Sequence, residues 1–377
     1  MSTMINYLSK TAKNKLKGTV LLRLDFNTED EWRMEATLPT IRFLLKQCEK
    51  IVIVSHRGRP TSVKTTAGKP IGKDVSKLSL KKDGENLGKF LKRKVVFIPH
   101  FRFREIQKTV EAAPKGSIFL LENLRFLPGE EKNDTKLAKS LASLADYYVN
   151  DAFPVSHRAN TSTEAITKFL PSYAGLELES EMKHLAHVMG KPKKPLVVIF
   201  GGGKAHEKIP VIRYFRKKAD MFILGGSVAN TLLKERGVDI DSSKVDENPG
   251  PLVHTIAGYR NLLLPIDFKM SNRRILDIGV KTEELFAREI KKARTIIWNG
   301  PLGLIEEKKF SHGSLALTKS IGRNKKAFRL IGGGETVMFI KKHKMEKAFS
   351  FISTGGGAML EFLSGKKLPG IEALKRK

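Results

Sequence analysis

Short runs of β-branched and apolar residues alternate along this chain with stretches whose apolar positions recur every three or four residues. That alternation is the signature of β-strands connected by helices. In the first half, Val20 to Asp25, Ile51 to Ser55, Val95 to Ile98, Ile118 to Leu121 and Tyr147 to Asn150 read as strands, separated by helices such as Ala36 to Cys48 and Thr135 to Leu144. The runs are continuously apolar, which predicts parallel strands covered on both faces. The pattern restarts with Leu196 to Phe200, Met221 to Leu224, Thr295 to Trp298, Phe328 to Ile331 and Phe349 to Ile352, so a second sheet is expected.

Between the halves, Phe169-Leu-Pro-Ser-Tyr-Ala-Gly175 carries Pro and Gly, Leu176 to Met189 has helical apolar spacing, and Gly190-Lys-Pro-Lys-Lys-Pro195 breaks it. The boundary is placed there. A length of 377 residues also favours two cores over one. The expected fold class is α/β, with two lobes, each a mostly parallel, Rossmann-like sheet flanked by helices. Residues 1–175 form the first lobe, 176–195 the connecting helix and its break, and 196–362 the second lobe. No long-period repeat is visible.

Composition narrows the class. The 41% hydrophobic and 29% charged fractions fit a soluble globular protein, and no apolar run reaches bilayer-spanning length, so no membrane partner is expected. The start, MSTMINYLSKTAKNKLKG, lacks the apolar stretch of a secretory signal, and the solitary Cys48 cannot form an internal disulfide. A cytoplasmic protein is expected. The net charge of +30 implies anionic partners, and the densest excess lies between Lys64 and Lys94, where ten Lys or Arg face three acids. Phe90 is the only aromatic there, so base stacking is unsupported and any nucleic-acid contact is expected to be non-specific.

Three glycine triplets, Gly201 to Gly203, Gly332 to Gly334 and Gly355 to Gly357, each close an apolar run. Glycine turns that open a following helix converge backbone amides on an anion, and three of them point to a polyphosphate. Lys204 and Lys208 follow the first triplet, four apart, and are expected on one helical face over the anion. A tight β-to-α turn with two exposed lysines is the alternative. Glu335 and Thr336 follow the second triplet, where a carboxylate is either a magnesium ligand or a first-turn acid that complements the helix dipole. Trp298-Asn-Gly-Pro-Leu-Gly303, with Glu306 beyond it, offers another polar turn.

In the first half the strand ends supply Arg23, Asp25, Asn27, His56, Arg59, Arg125, Asn150, Asp151, His157 and Arg158, a set that suits a small polyanion. Taken singly, an arginine is as well explained by a surface ion pair, and a histidine by a structural hydrogen bond. No nucleophile turn and no His/Cys metal cluster is present, so phosphoryl transfer by positioning and charge fits better than covalent hydrolysis.

These residues match a known pattern in order along the chain. Arg23-Leu-Asp25-Phe26-Asn27 resembles R-V-D-F-N, Ser55-His-Arg-Gly-Arg59-Pro60 resembles S-H-L-G-R-P, and Leu121-Glu-Asn-Leu-Arg125-Phe resembles L-E-N-x-R-F of phosphoglycerate kinases. Asn150 to Phe153, His157-Arg158, Gly201 to Lys208, Trp298 to Gly303, Gly332 to Thr336 and Ser353 to Gly357 continue the resemblance. It implies a bilobal, monomeric enzyme that reversibly moves the acyl phosphate of 1,3-bisphosphoglycerate to ADP, giving 3-phosphoglycerate and ATP, in line and without a covalent enzyme intermediate. The connecting helix would be the hinge, and residues 363–377 would pack back on the first lobe.

By that resemblance Asp25, Asn27, Arg33, His56, Arg59, Arg125 and Arg158 form the triose site. Arg33, six residues before Pro39, would neutralise the phosphoryl group in transit, Lys204 would guide it, and Gly333 and Gly356 would present amides to the developing charge. Gly202, Lys204, Lys208, Asn299, Pro301, Glu306, Gly332, Gly333, Gly334, Glu335 and Thr336 would hold the nucleotide, with Mg2+ at Glu335. Departures are Glu335 at a usual aspartate, Pro154 at a usual glycine, Asn160 at a usual histidine, Val280 at a usual proline, and apparently shortened loops at Thr28 to Trp32 and Lys269 to Leu276. They leave open a rival reading, a catalytically weakened scaffold whose basic surface binds nucleic acid, and a lesser one, a kinase of another carboxylate.

Overall fold

The computed structural model describes residues 5–11, 16–28, 30–251 and 253–375. The reading of the N-terminal segment at residues 1–4 and 12–15, and of the shortened loop at residue 29, lies outside the described residues. The chain divides into two compact units, one running to Met182 and resuming at Lys367, the other spanning Lys183–Lys366. The division falls inside the helix Leu176–Met189. From Lys367 onward the chain rejoins the first unit, where the Gly370 amide donates to the Ser156 carbonyl at 2.9 Å.

The first unit holds β1 (Thr19–Arg23), β2 (Lys50–Val54), β3 (Val95–Ile98), β4 (Ile118–Leu121), β5 (Tyr147–Asn150) and β6 (Ser172–Ala174). They form one sheet in the order β3-β4-β2-β1-β5-β6, with every pairing parallel. Val20, Leu22, Ile51, Ile53, Leu120 and Val149 are buried in a single core with Met34, Leu38, Ile41 and Leu44 of the helix α1 (Trp32–Leu44). Continuous burial along β1, β2 and β4 is what the unbroken apolar runs require.

The second unit repeats the design with β7 (Leu196–Phe200), β8 (Met221–Leu224), β9 (Leu262–Leu263), β10 (Thr295–Asn299), β11 (Phe328–Gly332) and β12 (Phe351–Ile352). Its order is β9-β8-β7-β10-β11-β12, again all parallel. In the second sheet the chain works outward to one side and then resumes on the other; in the first it fills one side, with β4 inserted between β2 and the edge strand β3, before resuming on the other. A crevice therefore opens at the strand ends between β1 and β5 and between β7 and β10. That is where open α/β sheets place ligands.

Several elements differ from the sequence reading. α1 begins one turn before Ala36, because Trp32 and Met34 are buried and extend its apolar face, and it ends at Leu44. The Pro/Gly connection before Leu176 contains a sixth strand, β6, too short to show periodicity and held by the Tyr148 amide on Pro171 O at 3.0 Å and the Gly175 amide on Asn150 O at 2.8 Å. β9 escapes notice for the same reason of length, and β12 starts at Phe351 because a 3-10 turn occupies Glu346–Ala348. The apparently shortened segment from Lys269 is an antiparallel hairpin, Phe268–Ser271 with Arg274–Ile278. It turns on Asn272 and Arg273, both at positive φ (46° and 58°), as a two-residue hairpin demands.

Three residues expected to face a ligand belong to the framework instead. Arg23 is fully buried, donating from Nε to Ser162 Oγ at 2.7 Å, from Nη2 to His56 Nδ1 at 3.1 Å and from Nη1 to the Leu24 carbonyl. Ser162 in turn donates to the buried Glu130 through Oγ at 2.5 Å and its amide at 3.1 Å. Asn150 accepts from the Ala152 amide at 3.0 Å, and Asp151 caps the helix Leu176–Met189 by accepting from the Leu178 amide at 3.0 Å. A position at a strand end does not reveal which way a side chain turns.

Replacing Arg23 alone strands a buried carboxylate at Glu130. Arg23→Met is expected to cost about 3–5 kcal/mol in chemical denaturation, and adding Glu130→Gln to recover much of it. Equal loss in both variants would show that the two charges are not coupled.

Candidate active site

Loops that leave the carboxyl ends of β1, β2, β4 and β5 build one cavity of ≈ 230 Å3 in the first unit. Asp25, Asn27, Arg33, His56, Arg59, Arg125 and Arg158 all line it, with Gly58, Pro154, Val155 and His157. Asp25 is the anchor: Oδ1 accepts the Asn27 amide at 2.8 Å and Oδ2 pairs with Arg33 Nη1 at 3.1 Å. Asn27 Oδ1 accepts the Gly58 amide at 2.7 Å, and Arg125 Nη1 donates to the Gly58 carbonyl. Arg158 Nε donates to His157 Nε2 at 3.2 Å. Pro154 forms part of a buried 3-10 turn, Phe153–Val155, whereas Asn160 is buried away from the cavity, bound to Thr163 and Glu164.

Charge in this cavity is lopsided. Burial lowers the Arg125 pKa, and Arg158, Arg23 and Arg59 push it the same way against Glu131. His56 is held well below its ordinary value, by burial first and then by Arg23, Arg125, Arg158 and Arg33. The imidazole is therefore neutral at pH 7. Because a guanidinium can only donate, Nδ1 is the acceptor for Arg23, and Nε2 carries the proton. Such a cavity can grip a small anion of several charges with donors alone.

The second unit has a cavity of ≈ 560 Å3 at the β7/β10 crevice, a size suited to a nucleotide. Gly202, Lys204, Lys208, Asn299, Pro301, Glu306, Gly333, Gly334, Glu335, Thr336 and Gly356 line it. Gly332 does not: it lies within β11, where a side chain would run into Met359 Sδ, so its small size serves packing. The turns after β7 and β10 interlock, with the Gly202 amide on Pro301 O at 2.6 Å and the Gly201 amide on Asn299 O at 3.0 Å. Gly300, at φ 91°, sits so near Gly201 O that a Cβ would approach it to 2.2 Å. Only glycine fits there.

Lys204 and Lys208 reach the cavity by a route other than the expected shared helical face. The helix runs Ala205–Phe215, and Lys204 is its N-cap in a left-handed conformation (φ 58°, ψ 65°), which the reversal out of the glycine turn imposes. Lys204 is exposed and paired with Glu207 at 3.1 Å. Lys208 is buried and donates to Gly203 O at 2.6 Å; burial lowers its pKa, with Glu207 opposing and Lys204 adding to the shift. Glu335, exposed in the first turn of the helix Gly334–Lys342, also acts on Lys208 through its charge. Thr336 Oγ1 accepts the Gly300 amide at 3.0 Å, tying the second triplet to the β10 turn.

Sequence reasoning overlooked Ser227, Asn230 and Lys244, which also line this cavity. Ser227 Oγ donates to Gly202 O at 2.9 Å and Asn230 Nδ2 to Lys244 O at 3.0 Å. The signal for the first two was present: Gly225-Gly226 closes β8 and opens the helix Gly226–Glu235, the same strand–glycine–helix grammar as the triplets. Lys244 lies in irregular chain and carries no such signal. Among the described residues no group of three or more His, Cys, Asp or Glu is placed to hold a metal, and no helix is long and apolar enough to cross a membrane.

Native His56 excludes a proton that the unfolded chain takes up below about pH 6.5. Stability should therefore fall on acidification through that value, by up to about 1.4 kcal/mol per pH unit from this group. His56→Gln should flatten the slope between pH 7.5 and 5.5 in denaturation at fixed pH; an unchanged slope would place the titrating group elsewhere.

A sequence model of the family described as phosphoglycerate kinase matches residues 12–366. The chain is 37% identical over 391 residues to the phosphoglycerate kinase of Pseudothermotoga lettingae, with 95% of this chain and 96% of the relative covered. It is 40% identical over 398 residues to that of Koribacter versatilis, with the same coverage. The structure of phosphoglycerate kinase from Coxiella burnetii superposes with a TM-score of 0.80 at 32% identity, covering 98% of this chain and 99% of that one.

Proposed function

The chain belongs to the phosphoglycerate kinase family, and we propose that it transfers a phosphoryl group reversibly between 1,3-bisphosphoglycerate and ADP, with the carboxylate of 3-phosphoglycerate as acceptor in the reverse direction. The observation that carries this reading is the gathering of Asp25, Asn27, Arg33, His56, Arg59, Arg125 and Arg158 around one small cavity. Such a site suits a triose that carries both carboxylate and phosphate.

In the direction of ATP use, a carboxylate oxygen attacks the γ-phosphorus while the bond to the β,γ-bridging oxygen breaks. The nucleophile is already anionic, so no general base is required, and the protein contributes position and charge. Arg33 rests against Asp25 and is only partly buried, placed to pass its charge to the group in transit. Lys204 serves the same group from the nucleotide side, Lys208 stiffens the glycine turn, and the helix starting at Gly334 aims amide hydrogens into the cavity. The two cavities belong to different units, so the reading requires a state in which acceptor oxygen and phosphorus meet, with Leu176–Met189 as the hinge element.

A magnesium ion would arrive with the nucleotide and neutralise its phosphate oxygens. The residues fit that role: two exposed carboxylates, Glu306 and Glu335, line the cavity beside Glu207, which is paired with Lys204, and magnesium commonly uses one or two carboxylates, completing its shell with phosphate and water. Glu335 stands at a usual aspartate with one more methylene, and it would hold the ion directly or through a bound water.

Two outcomes follow. Arg33→Ala should lower turnover by about 10²–10³-fold while ATP affinity, measured by calorimetry, stays within about twofold; parallel loss of both would remove Arg33 from this role. Glu335→Asp should shift the magnesium concentration for half-maximal rate, and identical magnesium curves would show that the residue does not touch the ion or its waters.

A further inference from the structure

In the segment Ser55-His-Arg-Gly-Arg59-Pro60, Arg57 stands where the pattern S-H-L-G-R-P has leucine. Unlike Arg59, it does not line the triose cavity. It borders a different cavity of the same unit, beside Thr28, Met34, Lys82 and Asp83. Nε donates to Asp83 Oδ2 at 3.2 Å, Nη2 donates to Asp83 Oδ1, and Nη1 donates to the Thr28 carbonyl at 2.8 Å. Asp83 is 6% exposed, on the helix Lys81–Leu91. One guanidinium thus joins the loop after β1, the loop after β2 and that helix.

The main chain of Arg57 is fixed as well. Asn123 Oδ1 accepts the Arg57 amide at 3.2 Å, and Asn123 Nδ2 donates to the Arg57 carbonyl at 2.7 Å. The next residue, Gly58, is where two triose-cavity side chains dock: Asn27 Oδ1 takes its amide hydrogen and Arg125 Nη1 binds its carbonyl. Any shift at Arg57 therefore moves the reference point for Asn27 and Arg125. Leucine at this site would pack without a partner. Arginine needs a carboxylate, because a buried guanidinium or a buried Asp83 left alone is costly.

We propose that Arg57 and Asp83 form a positioning pair for the triose cavity, holding the 55–60 loop so that the Gly58 peptide presents Asn27 and Arg125 to the anionic triose. The pair also keeps a further cation of the loop neutralised and out of a cavity already crowded with arginines. This rests on the reading that the cavity takes 3-phosphoglycerate.

The test is a double-mutant cycle with Arg57→Leu, Asp83→Leu and the combination, alongside the nearly isosteric Asp83→Asn, whose folding is checked by circular dichroism. Binding of 3-phosphoglycerate is measured by calorimetry, and kcat and both KM values by steady-state kinetics. Each single leucine variant should raise Kd and KM for 3-phosphoglycerate about tenfold, with kcat and the KM for ATP within about twofold. Arg57→Leu/Asp83→Leu should return to within about threefold of the parent, the non-additivity that marks a coupled pair. Asp83→Asn should fall between parent and Asp83→Leu. Additive losses, equal losses for triose and nucleotide, or folded single variants with unaltered triose affinity would overturn the proposal. If the parent protein itself fails to bind 3-phosphoglycerate, the reading of the cavity falls and this proposal with it.

Discussion

Four guanidinium groups, Arg33, Arg59, Arg125 and Arg158, share one small cavity with a single lining carboxylate, Asp25. That unbalanced charge is the constraint around which the first unit is built. Like charges in a half-buried space repel, so each needs acceptors. Carboxylates take part of that load, Asp25 on Arg33 Nη1 at 3.1 Å and Glu131 on Arg125 Nε at 3.2 Å, and backbone carbonyls add to it: Gly58 O receives Arg125, and Asn27 O lies 3.5 Å from Arg33 Nη1. His56 adds a donor without adding charge, since burial and the surrounding arginines keep it neutral. Underneath, Arg23 is balanced through Ser162 by Glu130, and Arg57 is balanced by Asp83. The site thus combines spent cations in its walls with available cations at its surface, and a ligand of several negative charges completes it.

The second unit meets a similar demand with backbone. Its cavity is lined by glycine turns after β7, β8, β10 and β11, and by three lysines, Lys204 and Lys244 exposed and Lys208 buried. A polyphosphate extends over many oxygens, which suits a distributed set of amide hydrogens better than a few fixed forks. The interlocked Gly201 and Gly300 turns fix that set before any ligand arrives, through hydrogen bonds of 2.6 and 3.0 Å between the two loops. Both units place their cavities where the order of a parallel sheet reverses, so the same topological rule serves a small, cation-rich cavity in one unit and a nucleotide-sized cavity in the other.

Most of this architecture is legible in the sequence, because buried parallel strands leave long apolar runs, and glycine triplets mark where the backbone must approach itself or an anion. What escapes notice has physical reasons. Ser172–Ala174 and Leu262–Leu263 are too short for periodicity to register, and neighbouring strands define them. Arg23 and Arg59 both lie at the ends of strands or just beyond, yet one is entombed and the other exposed; the difference is set by Ser162 and Glu130, more than 100 residues away in sequence. Lys204 looks like a helical residue until the turn before it is seen to need a left-handed position. Asp83 reads as one of few acids in a lysine-rich stretch, and only its contact with Arg57 shows a role near the site.

The central claim is that the two cavities serve a single chemical step. It is tested most directly by a coupled assay of the purified, folded protein with ATP, 3-phosphoglycerate and magnesium. The account predicts ATP turnover that saturates with 3-phosphoglycerate, vanishes when it is omitted, and yields an acyl phosphate that hydroxylamine traps. Folded protein that binds both ligands but shows no triose-dependent turnover would contradict it.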